Sequence, residues 1–289
     1  MRTEPKAIGD TLDYIKAEGL KKEYPGGLTA LKSLNFGLSR KISAVLGHNG
    51  AGKTTLLRIL STQLLPSSGN ASVLGMDIYE NAQEIRERIV SIPQESDALE
   101  VLTPQEHLEM YLSARGISSR EASESIDSAL KTVGLYEARN QTANTLSGGM
   151  KRKIFVAMAL ASNADLTFLD EPTTGLDPVS RMEVWSAIKK LRGGVILTTH
   201  YLEEAKFLAD EVMILNSGRL IAKGEIDSLL KPYKHLVRID GIMEGKRSFK
   251  IGDIMISYLG EKAALEYMKK GYQPKQLGLE DLFILGALK

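Results

Sequence analysis

The stretch GHNGAGKTT, residues 47–55, packs three glycines, a lysine and two threonines between two apolar runs. Gly47, Gly50, Gly52, Lys53 and Thr54 fit the spacing G-x-x-x-x-G-K-[ST]. Glycines let successive backbone amides turn inward, and the positive end of a following helix adds to them, which makes a nest for phosphate oxygens. In such a nest Lys53 reaches the β and γ phosphates and the Thr54 hydroxyl ligates Mg2+. The plainer reading is a glycine-rich turn with a solvated lysine. A second feature weighs against it: in LTFLDEP an apolar run ends in Asp170 and Glu171, and Pro172 stops it. Carboxylates at the carboxyl end of a strand lie where open α/β sheets bind ligands. Asp170 suits a Mg2+ shell, and Glu171 suits the polarising of an attacking water. A third feature is LSGGMKRK, residues 146–153, where Ser147, Gly148 and Gly149 before a helix repeat the logic of the first nest. One nucleotide hardly needs two such nests.

The flanking patterns say which elements would carry these groups. Residues 12–46 read as short strands, LDYIKAEGL, SLNFGL and KISAVLG, broken by the turn Pro25–Gly27, and a small sheet is expected there. TTLLRILSTQLL places Leu56, Leu57, Ile59, Leu60 and Leu64 on a helical stripe that Pro66–Gly69 end. QEIRERIVSIP gives a short helix and a strand, and residues 103–145 read as helical and polar. Strands and helices then alternate through DLTFLDEP, VSRMEVWSAIKKLR, VILTTH and a helix beginning at Tyr201, the signature of a parallel sheet. Asp177 before Pro178 is a strong helix start. After Asn216, SGRLIAKG reads as a hairpin, and residues 233–289 hold strand-like runs, a helix at EKAALEYMKKG and a last segment GLEDLFILGAL.

Whole-chain properties exclude several functions. The 289 residues carry 37 Lys plus Arg against 36 Asp plus Glu, so no global basic field marks a nucleic-acid binder, and no nucleic-acid partner is expected. The absence of cysteine removes disulfides, thiolate metal sites and cysteine nucleophiles, and fits a reducing cytosol. No apolar run is long enough to cross a bilayer, and the amino-terminal MRTEPKAIGD lacks a secretion signal.

In their order these motifs resemble the ATPase subunits of ABC transporters, over roughly residues 12–230. GHNGAGKTT (Gly47, His48, Asn49, Gly50, Ala51, Gly52, Lys53, Thr54, Thr55) is similar to the Walker A loop and LTFLDEP to the Walker B strand. SIPQES with Gln94 resembles the Q-loop; Leu146, Ser147, Gly148, Gly149 and Met150 the signature; TGLD with Asp177 the D-loop; and LTTHYLEEA with His200 the switch histidine. Tyr24 sits where the family places an aromatic against adenine. The resemblance implies a P-loop (RecA-like) α/β core with a parallel sheet, an amino-terminal antiparallel β-subdomain, an inserted helical subdomain at about residues 95–150, and a small α+β carboxyl-terminal module. The ATPase domain is expected over residues 1–232, and the strand-like runs and helix of residues 233–289 read as a separate accessory module.

The same resemblance implies ATP and Mg2+ as ligands. Glu171, His200, Gln94 and Lys53 would be catalytic, and Thr54, Gln94 and Asp170 would face the metal. Two ATPase subunits, alike or different, would close head to tail, so that Ser147 and Gly149 touch the γ phosphate held by the other chain. Separate transmembrane permease subunits would keep the protein on the inner face of the cell membrane, otherwise cytoplasmic. MKRK, TTGLDP and GLEDLF are similar to the ATPase subunits of ABC-2-type exporters. The rival readings are an ABC ATPase that moves no solute, such as the iron–sulfur assembly type, and a nucleotide-dependent scaffold without hydrolysis. The retained Glu171 speaks against the scaffold. Three departures stand out: Met150 where the family has glutamine, His48 where proline is common, and SRKIS without the usual turn glycine.

Overall fold

A computed structural model describes residues 13–245 and 247–287. The MRTEPKAIGD stretch, Leu12 and Leu288 lie outside the described residues. Strand β1 (Ile15–Glu23) buries Ile15, Ala17 and Leu20 on one face, with a register break around Gly19. It pairs antiparallel with β2 (Thr29–Leu38) across the Pro25–Gly27 turn, where Gly26 and Gly27 take φ of 92° and 87°, accessible at no steric cost only to glycine. Strand β3 (Ile42–Leu46) leads into α1 (Lys53–Leu60), followed by β4 (Ser68–Val73), β5 (Met76–Asp77), α2 (Ala82–Arg88) and β6 (Ile89–Ile92). A helical layer follows, formed by α3 (Pro104–Ala114), α4 (Ser119–Thr132) and α5 (Gly148–Ser162). Thr103 with Glu106, and Ser118 with Glu121, form reciprocal capping boxes that start α3 and α4. Then come β7 (Leu166–Asp170), α6 (Pro178–Ile188), β8 (Gly194–Thr199), α7 (Leu202–Leu208), β9 (Glu211–Asn216), β10 (Arg219–Gly224) and α8 (Ile226–Leu230).

The central sheet has the order β10-β9-β3-β8-β7-β6, parallel except for the β9–β10 hairpin. Strands β3, β7 and β8 are buried at every position, as a parallel sheet covered on both faces requires. Phe168 of β7 is fully buried, worth roughly 2–3 kcal/mol of transfer free energy. The P-loop α/β class expected from sequence is therefore the observed one.

Three expectations need correction. KISAVLG is not part of the small amino-terminal sheet. Its residues form β3 at the centre of the parallel sheet, and the small sheet, β2-β1-β4-β5, recruits residues 68–77 instead. The first helix stops at Leu60 and not near Leu64, because Thr62 turns left-handed (φ 60°) while Gln63 and Leu64 N–H groups return to the Arg58 carbonyl. Finally, α5 crosses residue 150 and ends at Ser162, so the helical layer and the core share one helix. The glycine-poor SRKIS turn has an external support: Glu211 Oε1 accepts from the N–H groups of Ser39 and Arg40 and from the Ser43 hydroxyl.

The remaining chain forms β11 (Leu236–Asp240), β12 (Ser248–Ile251), β13 (Ile254–Gly260), α9 (Glu261–Lys269), β14 (Pro274–Lys275) and α10 (Leu279–Ala287), with the four strands in a separate antiparallel sheet. Among the described residues no helix is long and apolar enough to cross a membrane.

One buried carboxyl ties together the helices behind the site. Glu204 of α7 accepts from Thr173 Oγ1 (2.7 Å) and Trp185 Nε1 (2.9 Å), which joins α7, α6 and the loop after β7. Burial pushes the Glu204 carboxyl above its ordinary range, against hydrogen bonds that favour its charged form, including those from Thr173 and Trp185. A raised folded-state pKa gives stability that is full below the unfolded glutamate value and declines as pH rises through the folded one. Glu204→Gln keeps an acceptor and cannot ionise, so its stability relative to wild type should improve from about pH 5 to about pH 8 in urea titrations. Glu204→Ala strands both donors and should cost about 2–4 kcal/mol.

Candidate functional site

The phosphate loop runs from the end of β3 into α1 and is shaped by close packing. A Cβ on Gly47 would lie 2.7 Å from the Leu215 carbonyl oxygen, and one on Gly52 would lie 2.6 Å from that of Ala30. Gly52 also has φ of 103°, so only glycine satisfies both constraints. Gly50, Asn49 and His48 are exposed, and Ala51 is buried beneath them. His48 bridges the Asn49 carbonyl (2.7 Å) and Asn216 Oδ1 (2.8 Å), latching the loop to the β9–β10 turn. Gly218 N–H adds a bond to the Ala51 carbonyl at 3.0 Å. Thr54 is half-buried and its hydroxyl makes no hydrogen bond among the described residues. The Thr55 hydroxyl meets Tyr24 Oη at 3.2 Å, which places Tyr24 beside the loop.

Lys53 is the pivot of the site. Its ammonium donates to the carbonyls of Gly47 (2.8 Å) and His48 (3.3 Å) and lies 3.1 Å from Glu171 Oε1, with both side chains only 5% exposed. Glu171 Oε2 accepts from the Thr174 hydroxyl (2.8 Å) and from His200 Nδ1 (2.8 Å). Burial raises the Glu171 carboxyl, but the bonds from Thr174 and Lys53 and the charges of Lys53 and His200 outweigh it, and the group settles below its ordinary range. An ionised carboxylate can only accept, so His200 Nδ1 carries a proton. Glu171 has φ of 48°, a left-handed conformation that costs a non-glycine residue about 1–2 kcal/mol.

Sequence reading missed Thr198. Its hydroxyl donates to Asp170 Oδ1 and accepts from Glu171 N–H at 3.0 Å, and its carbonyl takes the same N–H at 3.2 Å. The signal lay in LTTH: with β7 and β8 adjacent and parallel, Asp170 pairs with Thr198. Thr174 is the other omission, hidden in an ordinary-looking turn. Asp170 Oδ2 has no hydrogen-bond partner among the described residues.

The signature stands apart from this cluster. Ser147 caps α5, its hydroxyl accepting from Met150 N–H at 3.2 Å. Leu146 is buried, and Met150, in place of the usual glutamine, packs against the main core. A Cβ on Gly149 would lie 2.7 Å from Ser180 Oγ, while Gly148 has open space. Asp177 caps α6 by accepting from Val179 and Ser180 N–H, both at 3.0 Å. Gln94 is exposed; its side chain makes no hydrogen bond among the described residues, and its carbonyl accepts from Arg152 at 2.9 Å. The structure thus gathers Lys53, Asp170, Glu171 and His200 into one cluster, with Tyr24 alongside, and leaves Ser147, Gly148 and Asp177 as separate helix starts.

Thr198→Val preserves shape and removes both hydroxyl contacts. It should lower the denaturant midpoint by the equivalent of about 1–3 kcal/mol at an unchanged slope. An unaltered midpoint would mean that the hydroxyl does not hold the end of β7.

A family model described as ABC transporter matches residues 31–174. The daunorubicin resistance ATP-binding protein DrrA3 of Streptomyces coeruleorubidus is 41% identical over 219 residues, 74% of this chain and 69% of that protein. The human retinal-specific phospholipid-transporting ATPase ABCA4 is 41% identical over 203 residues, which span 69% of this chain but 9% of that much longer protein. Among solved structures, the dimeric post-hydrolysis state of an ATP-binding cassette bound to ADP and Pi aligns with a TM-score of 0.66 at 25% identity, over 73% of this chain and 98% of that one. The chain belongs to the ABC transporter family, as an ATP-binding subunit that hydrolyses ATP.

Proposed function

We propose that the protein is the ATPase subunit of an ABC-2-type exporter, working as two subunits that close head to tail on Mg-ATP beneath a separate membrane permease. The observation that carries the dimer is the division of the site. Lys53, Glu171 and His200 form one cluster, while Ser147 and Gly148 open an uncovered helix start elsewhere on the chain. A second chain can supply that start to the first chain's ATP. The names of the daunorubicin-resistance and phospholipid-transporting relatives favour export. A place on the inner face of the cell membrane follows from the permease. Residues 1–232 would then be the ATPase domain, and 233–289 an accessory module.

The residues present fit Mg2+. The Thr54 hydroxyl, Asp170 Oδ2 and the Gln94 side chain have no hydrogen-bond partners among the described residues and are of the oxygen type that this cation takes together with phosphates. When bound, Mg2+ would neutralise charge on the β and γ phosphates. Lys53 would turn its ammonium to the same phosphates, and Tyr24 would face the adenine. That move would take from Glu171 one of the partners that hold its carboxyl low, leaving the carboxylate to accept the water's proton. His200 donates from Nδ1 to Glu171 and would reach the γ phosphate from Nε2 when that nitrogen also carries a proton. Asp177 starts the helix that packs against Gly149, so the D-loop and the signature would move together.

Steady-state ATPase assays test hydrolysis: Glu171→Gln should lower turnover by roughly 100-fold or more while nucleotide still binds. Wild-type turnover equal to the mutant's would falsify the role of Glu171. The dimer has its own test. Gly148→Ala has room in the single chain, so it should melt like wild type. It should nevertheless lose ATP-dependent dimerisation, read by size-exclusion chromatography in the Glu171→Gln background. Retained dimerisation would remove the signature from the interface.

A further inference from the structure

Arg152 lies in α5, five residues after Ser147, and its guanidinium is spent on backbone. Nη1 donates to the Gln94 carbonyl (2.9 Å), Nη2 to the Glu171 carbonyl (3.1 Å) and Nε to the Pro172 carbonyl (3.1 Å). These carbonyls lie just beyond the carboxyl ends of β6 and β7, neighbouring strands of the parallel sheet. One planar fork therefore spans two loops, a geometry that an ammonium cannot reproduce. With its three nitrogens engaged, Arg152 is not placed to act as a phosphate-binding finger.

The consequence falls on Glu171. Its left-handed backbone needs support from its surroundings. On one side Thr198 takes the Glu171 N–H; on the other Arg152 takes the Glu171 carbonyl. These two contacts fix the peptides on either side of the Cα that aims the carboxylate at Lys53, Thr174 and His200. We propose that Arg152 is a positioning residue for ATP hydrolysis, holding the Glu171 backbone in its productive conformation and tying it to the loop of Gln94. Because Arg152 sits on the helix that Ser147 caps, a displacement of that helix reaches the backbone of Glu171 directly. The inference rests on the reading of Glu171 as the group that accepts the water's proton. Arg152 is half-buried, so water can replace its bonds when the side chain is removed. The loss should therefore appear in geometry more than in stability.

The test uses the full chain, with steady-state ATPase, binding of a fluorescent ATP analogue and thermal unfolding measured for wild type, Arg152→Ala, Arg152→Lys, Glu171→Gln and Arg152→Ala/Glu171→Gln. Arg152→Ala should lower kcat about 10- to 100-fold, the scale of a misplacement of about 1 Å. KM and analogue affinity should stay within about twofold and the melting midpoint within a few degrees. Arg152→Lys should recover part of kcat, since its ammonium can reach some of the carbonyls. In the Glu171→Gln background, Arg152→Ala should cause no further loss of the residual rate. The proposal is overturned by wild-type kcat in Arg152→Ala, by an equal loss in the Glu171→Gln background, or by both Arg152 variants failing to fold, which would make the role structural. Wild type no faster than Glu171→Gln would overturn the role of Glu171 itself, and this proposal with it.

Discussion

A lysine ammonium and a glutamate carboxylate 3.1 Å apart, both nearly shut off from water, organise this molecule. Two charges taken out of water are costly unless each is fully partnered. Here the Gly47 and His48 carbonyls complete the lysine, and Thr174 and His200 complete the glutamate. The partners come from three successive strands of the sheet. Lys53 follows β3, Glu171 follows β7, and Thr198 and His200 come from the end of β8, which lies between them. The parallel register that sets Leu46 beside Thr199 and Asp170 beside Thr198 is therefore what assembles the charge cluster. A one-residue slip would turn every side chain of β8 to the opposite face and dissolve it.

The motifs around the loops were legible because each is local and dense. Glycines at set spacing, paired carboxylates before proline, and Asp177 before Pro178 state their chemistry within a few residues, and the structure places them at strand and helix ends. What could not be read depends on partners far along the chain. Strand β3 looks like a continuation of the first strands, and only its pairing with β8 and β9, more than 150 residues away, gives it to the central sheet. Strand β4 is rich in Ser, Gly and Asn and β5 spans only two residues, so neither carries an alternation to recognise. The SRKIS turn manages without the usual glycine, since none of its residues takes a left-handed φ and Glu211 Oε1, from across the fold, accepts two of its N–H groups. Thr198 and Arg152 are single polar residues whose role lies in what they touch, which no spacing rule records.

The carboxyl-terminal sheet obeys the same logic of one polar lock beside one apolar one. Asp281 of α10 is fully buried; its Oδ1 accepts from Tyr258 Oη at 2.7 Å and Arg238 Nη1 at 3.1 Å, and its Oδ2 from Gly278 N–H at 2.7 Å. Burial and the Asp281 carboxylate push the Tyr258 hydroxyl far above its usual range, so it remains a donor at any working pH. The neighbouring residues of the same helix face the other way. Leu279 and Leu282 belong to the main core, and a Cβ on Gly286 would lie 2.4 Å from Ile221 of β10. Helix α10 is thus hydrogen-bonded to one sheet and packed into the other, and β10 leads by a tight turn to Asn216, the partner of His48 in the phosphate loop. A chain of packed contacts therefore joins the terminal sheet to the nucleotide loop, and any movement of α10 must either break a buried carboxylate's hydrogen bonds or carry the β9–β10 hairpin with it.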